Sequence, residues 1–316
     1  MIVFKYLSVL YHLNRIVLKT RSRLFVLIIF VTCILTVFQS CNVQDNLAVP
    51  TEINLLHKGL YVDKFQYILG DTIKENKLLR YVKSHDFNEL SLYGLWEITN
   101  KPSKYPSLAK FISKARKDFG VTKISATHST TKAFDDCEAY NIGRNNESEE
   151  FDVFSIENEW WQTNPECNYT CNQNLVLHVK DLKIQNKDNF DTEIYIGWLD
   201  AQNNDYEEAK FLVNNLDKIA VHCYDKTPNF AYTKERLLLL AKAARELNKK
   251  PEILILFSAE QEFMFKYFAK THQNKNFITA FDDFIKDLKT SNSSILLDLN
   301  FTGYKIFTYS EAALAR

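Results

Sequence analysis

Beyond residue 56 the chain alternates between two patterns of apolar and polar positions. Short runs rich in β-branched and aromatic residues (59–65, 87–95, 121–129, 151–159, 192–200, 218–225 and 251–260) carry the strand period of two. The longer segments between them space their apolar residues as helices do. Leu78, Leu79 and Val82 make such a stripe, and SLAKFISKARKDFG follows with Ser107 as N-cap and Gly120 as stop. Further helices are expected in 134–143, within 172–184, in DYEEAKFLVNN and in YTKERLLLLAKAARELNKK, with one or two more in 261–289. The last strand is either SILLDLNF or GYKIFTY. Strand and helix in strict succession imply a parallel sheet of βα units. Eight such units over residues 57–316 match a single (β/α)8 TIM barrel, whose usual size is about 250 residues. An open doubly wound sheet is the alternative. It usually brings a glycine-rich phosphate turn after the first strand, and neither GxGxxG nor GxxxxGK[ST] occurs.

Composition narrows the functional classes. A hydrophobic content of 46% allows a full core, and 39 Lys+Arg against 39 Asp+Glu give no net field toward nucleic acid. The N-terminus reads separately. KTRSR precedes LFVLIIFVTCILTVF, an apolar run in the range of a signal-peptide core and short for a membrane span of about twenty residues. Gln39, Ser40 and Cys41 follow, so residues 1–41 resemble a bacterial lipoprotein leader with Phe38 where the strict lipobox prefers Leu. The resemblance implies acylation of Cys41 and attachment to a lipid membrane. An uncleaved anchor helix is the alternative, given the long stretch before Lys19. Either way the folded part is expected outside the inner membrane, on the periplasmic or cell-surface side. Residues 42–56 read as a tether. Cys167 and Cys171 pair in an oxidising compartment if the chain turns there, whereas i, i+4 spacing on a regular helix suits a bridge less well. No histidine stands at ligand spacing beside them, so neither metal nor cofactor is expected.

In a (β/α)8 barrel chemistry gathers at the C-terminal strand ends. Here those ends carry Tyr93, His128, Glu157, Glu159, Trp198, His222, Tyr224, Asp225 and Glu260. Carboxylates supply acid, base or nucleophile, and aromatic rings suit the apolar faces of sugars, so the rim reads as a glycan site. In FDVFSIENEWW, parity puts Val153, Ser155, Glu157 and Glu159 on the inner face, with Phe154 and Ile156 facing helices. Two carboxyls that close repel, which raises one pKa and holds a proton ready for a leaving group.

FDVFSIENE resembles the fourth-strand D-G-x-D-x-D-x-E of the chitinase and endo-N-acetylglucosaminidase superfamily, glycoside hydrolase family eighteen. Asp152 matches the first Asp and Glu159 the proton donor, while Val153, Ser155 and Glu157 depart from Gly, Asp and Asp. AVHCYD keeps the strand-six Tyr224 and Asp225. SATH lacks the strand-three glycines, and Phe307 stands near the usual strand-eight Trp. This resemblance implies Glu159 as general acid, with Tyr224 and Glu157 positioning a substrate acetamide.

Asn158-Glu159, His222-Cys223-Tyr224, His128 and Glu260 are also similar to the retaining clan that includes family-five cellulases, although the strand-two Arg is absent. That resemblance implies Glu159 as acid/base and Glu260 as nucleophile. Asn158, Trp160, Trp161, His128, His222, Asp225, Trp198 and Tyr93 are the expected substrate-binding residues. Three alternatives stand beside these roles. Glu260 fits a helix N-terminus capped by Ser258. Trp160 and Trp161 fit packing under a loop. The whole barrel fits a glycan-binding scaffold without turnover.

Overall fold

The structure, a computed structural model, describes residues 53–315 apart from 164, 188, 200–204, 270–275 and 293. The leader with Cys41, and the tether up to residue 52, lie outside the described residues. Eight parallel strands close into a barrel in sequence order, β1 (His57–Val62), β2 (Glu89–Leu92), β3 (Lys123–His128), β4 (Val153–Ile156), β5 (Asp191–Ile196), β6 (Lys218–Cys223), β7 (Glu252–Ser258) and β8 (Asn300–Phe307). A long helix follows each of the first seven: α1 (Thr72–Ser84), α2 (Tyr105–Phe119), α3 (Thr131–Ile142), α4 (Tyr169–Gln185), α5 (Asp205–Asn215), α6 (Phe230–Leu247) and α7 (Phe277–Ser291). The shorter α8 (Tyr309–Ala315) closes the chain. This is a (β/α)8 TIM barrel.

Local chemistry sets most helix starts. Asp71, Thr130, Asn168, Asn229 and Asn276 stand at N-caps with extended backbone and accept hydrogen bonds from first-turn amides. The start of α2 differs from the expected Ser107, because Pro106 in its first turn needs no amide partner and the helix begins at Tyr105. Gly120 does end α2, in the left-handed conformation at φ 77°. Of the two versions of the last strand, GYKIFTY overlaps β8, whereas Ile295–Asp298 form one helical turn packed against α6. The aromatic run 263–268 is buried through Met264, Tyr267 and Phe268, and its helical turn packs against α8.

Cys167 and Cys171 form a disulfide with Cα atoms 5.2 Å apart. Cys167 precedes the N-cap Asn168 and only Cys171 is helical, so the pair escapes the regular i, i+4 geometry.

Strand parity divides the barrel. Outward residues such as Leu60, Leu90, Ile124, Phe154, Ile194, Ile219 and Ile253 are fully buried against the helices. Phe154, for example, stacks 5.6 Å from Phe134 of α3 and 4.0 Å from Phe190.

The inward face is polar. Lys305 of β8 reaches across the axis to Glu89 of β2 at 2.7 Å, to Glu193 of β5 at 2.6 Å and to Ser91 Oγ at 3.0 Å. All three charged groups have no exposed surface. Ser125 and Ser155 donate to Glu89 and Glu193 at 3.0 and 2.7 Å. Below, His57 bridges Glu89 at 3.0 Å and Glu252 at 3.2 Å, and Lys218 pairs with Asp191 at 3.0 Å. Burial pushes the Glu89 carboxyl up, but Lys305, His57 and Lys218 outweigh it and hold it well below the usual range. Space for the lysine comes from Gly59, where a Cβ would stand 2.6 Å from Lys305 Cγ.

Asp152, the residue aligned with the first Asp of the chitinase pattern, lies just before β4. It pairs with Arg116 at 2.5 Å and accepts from the Ile124 amide at 2.6 Å, which ties α2 to β3 and β4 far from the mouth.

Removing one partner of a buried pair leaves an uncompensated charge, so Lys305→Met is expected to cost about 3–5 kcal/mol in urea unfolding. A loss below about 1 kcal/mol would mean that the carboxylates do not depend on the lysine.

Candidate active site

The sequence TEIYIGW puts Tyr195 two residues above Glu193 on the same inward face, at the C-terminal mouth of the barrel. Its hydroxyl donates to Glu159 Oε1 at 3.2 Å and lies 3.5 Å from His222 Nδ1. Gln162 donates to the other oxygen of Glu159 at 2.9 Å. The second ring nitrogen of His222 meets the Tyr232 hydroxyl at 3.3 Å. Burial, and then the nearby Arg236, depress His222 to about 3, so it stands as a neutral ring between two phenols.

Glu157 continues the inward parity of β4, and its amide donates to His128 O at 3.0 Å. Its Oε2 is shielded from solvent and has no hydrogen-bond partner in the structure. Burial, with a smaller push from Glu159, raises its pKa from 4.5 to about 7. Glu157 therefore holds a proton near neutrality, next to a carboxyl held by Tyr195. Repulsion between the two acids was legible in the sequence. Which acid keeps the proton was not, because that depends on burial.

Aromatic rings line the rest of the mouth. Tyr224, just beyond β6, lies 4.7 Å from His222, 5.1 Å from Phe263, 6.0 Å from Phe307 and 6.4 Å from Tyr195, centroid to centroid. Tyr61 of β1 meets Phe307 at 5.7 Å. Trp161 sets its edge 5.5 Å from Tyr195, in space that Gly197 leaves free: a Cβ there would stand 2.6 Å from the indole. Tyr93 and Trp198 stand exposed on the rim.

Several residues expected at the site lie elsewhere. His128 shares the outward parity of Ile124 and Ala126 and packs 5.7 Å from Phe134 in the helix layer, where burial lowers it to about 4. Trp160 is 2% exposed and donates to Glu208 of α5 at 3.2 Å, so it packs under the loop. Asn158 is buried and donates to Asn172 of α4 at 3.2 Å. Asp225 accepts from Asn229 and from the Lys226 amide, both at 2.6 Å, and so closes the β6–α6 turn. Glu260, by contrast, stays near enough to Tyr224 to act on its hydroxyl, and it accepts from Ser258 Oγ at 2.7 Å within a turn where no helix begins. Tyr195, Tyr61 and Tyr232 went unnoticed in the sequence. For the first two the signal was available, since they share inward parity with Glu193 and Gly59.

No family model matches the sequence, and no curated protein matches it either. Among solved structures the chain is similar to a modular endo-β-1,4-mannanase of glycoside hydrolase family 26 from Cellulomonas fimi, at 13% identity and TM-score 0.49. That likeness covers 72% of this chain and 59% of the mannanase chain. It is also similar to the PgaB (BpsB) glycoside hydrolase domain from Bordetella bronchiseptica, at 10% identity and TM-score 0.47, covering 82% of this chain and 95% of that one. A Clostridium thermocellum protein that binds two copies of 5-methyl-5,6,7,8-tetrahydrofolic acid is similar at 11% identity and TM-score 0.49, covering 84% and 94%. The likeness is one of barrel fold.

A pKa raised on folding means that the native state binds the extra proton, so the Glu157 contribution to stability is full below about pH 4.5. It is lost as pH rises through about 7. The unfolding free energy of the wild type from urea titrations should therefore fall across that window relative to Glu157→Gln, by at most about 3.4 kcal/mol. Parallel curves would contradict the assignment.

Proposed function

We propose that the barrel acts on a glycan at its C-terminal mouth as a glycoside hydrolase, with Glu157 and Glu159 as the working acids. The observation that carries this reading is the carboxyl of Glu157, whose Oε2 is shielded from solvent without a hydrogen-bond partner among the described residues and whose pKa is raised to about 7, beside a second carboxyl that accepts from Tyr195. The sequence comparison named Glu159 as acid. Burial favours the reverse division, in which Glu157 donates its proton to the glycosidic oxygen as that bond breaks and Glu159 serves the developing positive charge or an incoming water. Tyr224, Trp161 and His222 line the sugar site.

We place the protein in the bacterial cell envelope, lipid-anchored through Cys41 and exported. The apolar run before Cys41 and the Cys167–Cys171 bridge, which suits an oxidising compartment, support this placement. A second reading, glycan binding without turnover, is favoured by Glu260, whose carboxyl accepts from Ser258 in its own turn.

Reducing-end release from neutral polysaccharides tests both readings. Glu157→Gln should lower kcat by about 10²–10⁴-fold, and wild-type kcat/KM should fall as pH rises above about 7. Full turnover by the Gln variant would refute Glu157 as the acid. Binding with no release by the wild type would establish the second reading.

A further inference from the structure

Resting on the glycan reading, we propose that the mouth holds an internal stretch of a neutral glycan chain, with Trp198 as a stacking platform on one side of the acid pair and Tyr93 with Trp96 on the other.

Trp198, two residues beyond β5, is 45% exposed, and its ring is nonetheless fixed. The guanidinium carbon of Arg236 lies 4.5 Å from the ring centroid. Arg236 rises from α6, is itself 3% exposed, and donates to the carbonyls of Gly197, of His222 at 3.0 Å and of Tyr232 at 2.8 Å. Its hydrogen bonds thus go to main-chain oxygens, and its charge faces the indole from below. His222 and Tyr232 hold the ring edge-on at 5.7 and 5.5 Å. A large aromatic ring held in solvent by a buried cation is pre-ordered for stacking, so little side-chain entropy is lost when a ligand arrives.

The platform connects directly to the acids. His222, in contact with Trp198, meets Tyr195, and Tyr195 donates to Glu159. On the far side, Tyr93 follows β2 and is 45% exposed, close enough to Glu157 and Glu159 that both act on its hydroxyl. Trp96 opens the helical turn Trp96–Thr99 and is 58% exposed. Strand order places β4, which carries the acids, between β2 and β5. The rings therefore flank the acid pair. A chain end or a small molecule would use one flank, whereas a ligand running across the mouth uses both. Glu159 and Glu166 lie exposed beside this path, so a uronate or sulfated chain meets like charge there.

The test is calorimetric titration of the full chain, as wild type and as Glu157→Gln, with reduced β-1,4-linked cello-, manno-, xylo- and chito-oligosaccharides of two to six units. Binding is read without turnover, so an inactive protein does not spoil the measurement, and failure of the hydrolase reading is seen separately. Affinity should rise with length in at least one series. Trp198→Ala and Tyr93→Ala should each weaken the longest ligand about tenfold and flatten the length dependence, while Trp198→Phe keeps most of it. Equal affinity for two and six units, unchanged binding by Trp198→Ala, or no binding in any of these neutral series would each overturn the proposal.

Discussion

A charge inside this barrel is cut off from water, so it must find an opposite charge or give up its own. Both outcomes occur along one axis. At mid-height Lys305 stands between Glu89 and Glu193, and Ser91, Ser125 and Ser155 add a hydrogen bond each to the lysine and the two carboxylates. At the mouth Glu157 faces phenols and another carboxyl, and it keeps its proton to near neutrality. Desolvation acts in the same direction on every acid of the interior. The difference lies in whether a cation is within reach.

This constraint shapes the surroundings. Strand β1 carries glycine at position 59 because the stem of Lys305 occupies the space that a Cβ would need. The polar column leaves little apolar filling inside the barrel, and the main hydrophobic core lies between strands and helices. Above the column, Tyr61, Tyr195 and Leu256 form a separate small cluster, with Trp161, Tyr224 and Phe307 packed on it. That cluster separates the ion network from the mouth. It also provides the low-dielectric floor on which a carboxyl without a counter-ion becomes an acid.

The barrel was legible because its signal is local. Period-two runs alternate with helical stripes, and a stop such as Gly120 marks a helix end. The site was legible only as far as parity could be counted. Parity placed Glu157 correctly. For His128 the same count, continued from Ile124, would have pointed outward, but its place at the end of a strand put it among the rim residues and the resemblance to family-five enzymes kept it there. Asn158, Trp160 and Asp225 looked like rim residues because a sequence does not show which partner a side chain will meet; Asn172, Glu208 and Asn229 meet them across 14, 48 and 4 positions. Lys305 and its two glutamates escaped notice for the same reason. They lie 112 and 216 positions apart, and each alone looks like a polar residue at a strand edge.

The central claim is that Glu157 carries a proton near neutral pH because its carboxyl is desolvated and pairs with no cation among the described residues. Carbon-13 NMR of glutamate-labelled protein tests it most directly, with the Glu157 side-chain carboxyl assigned by its disappearance in Glu157→Gln. A titration midpoint near 7 is the predicted result. A midpoint in the ordinary glutamate range, about 4.3, would contradict the account.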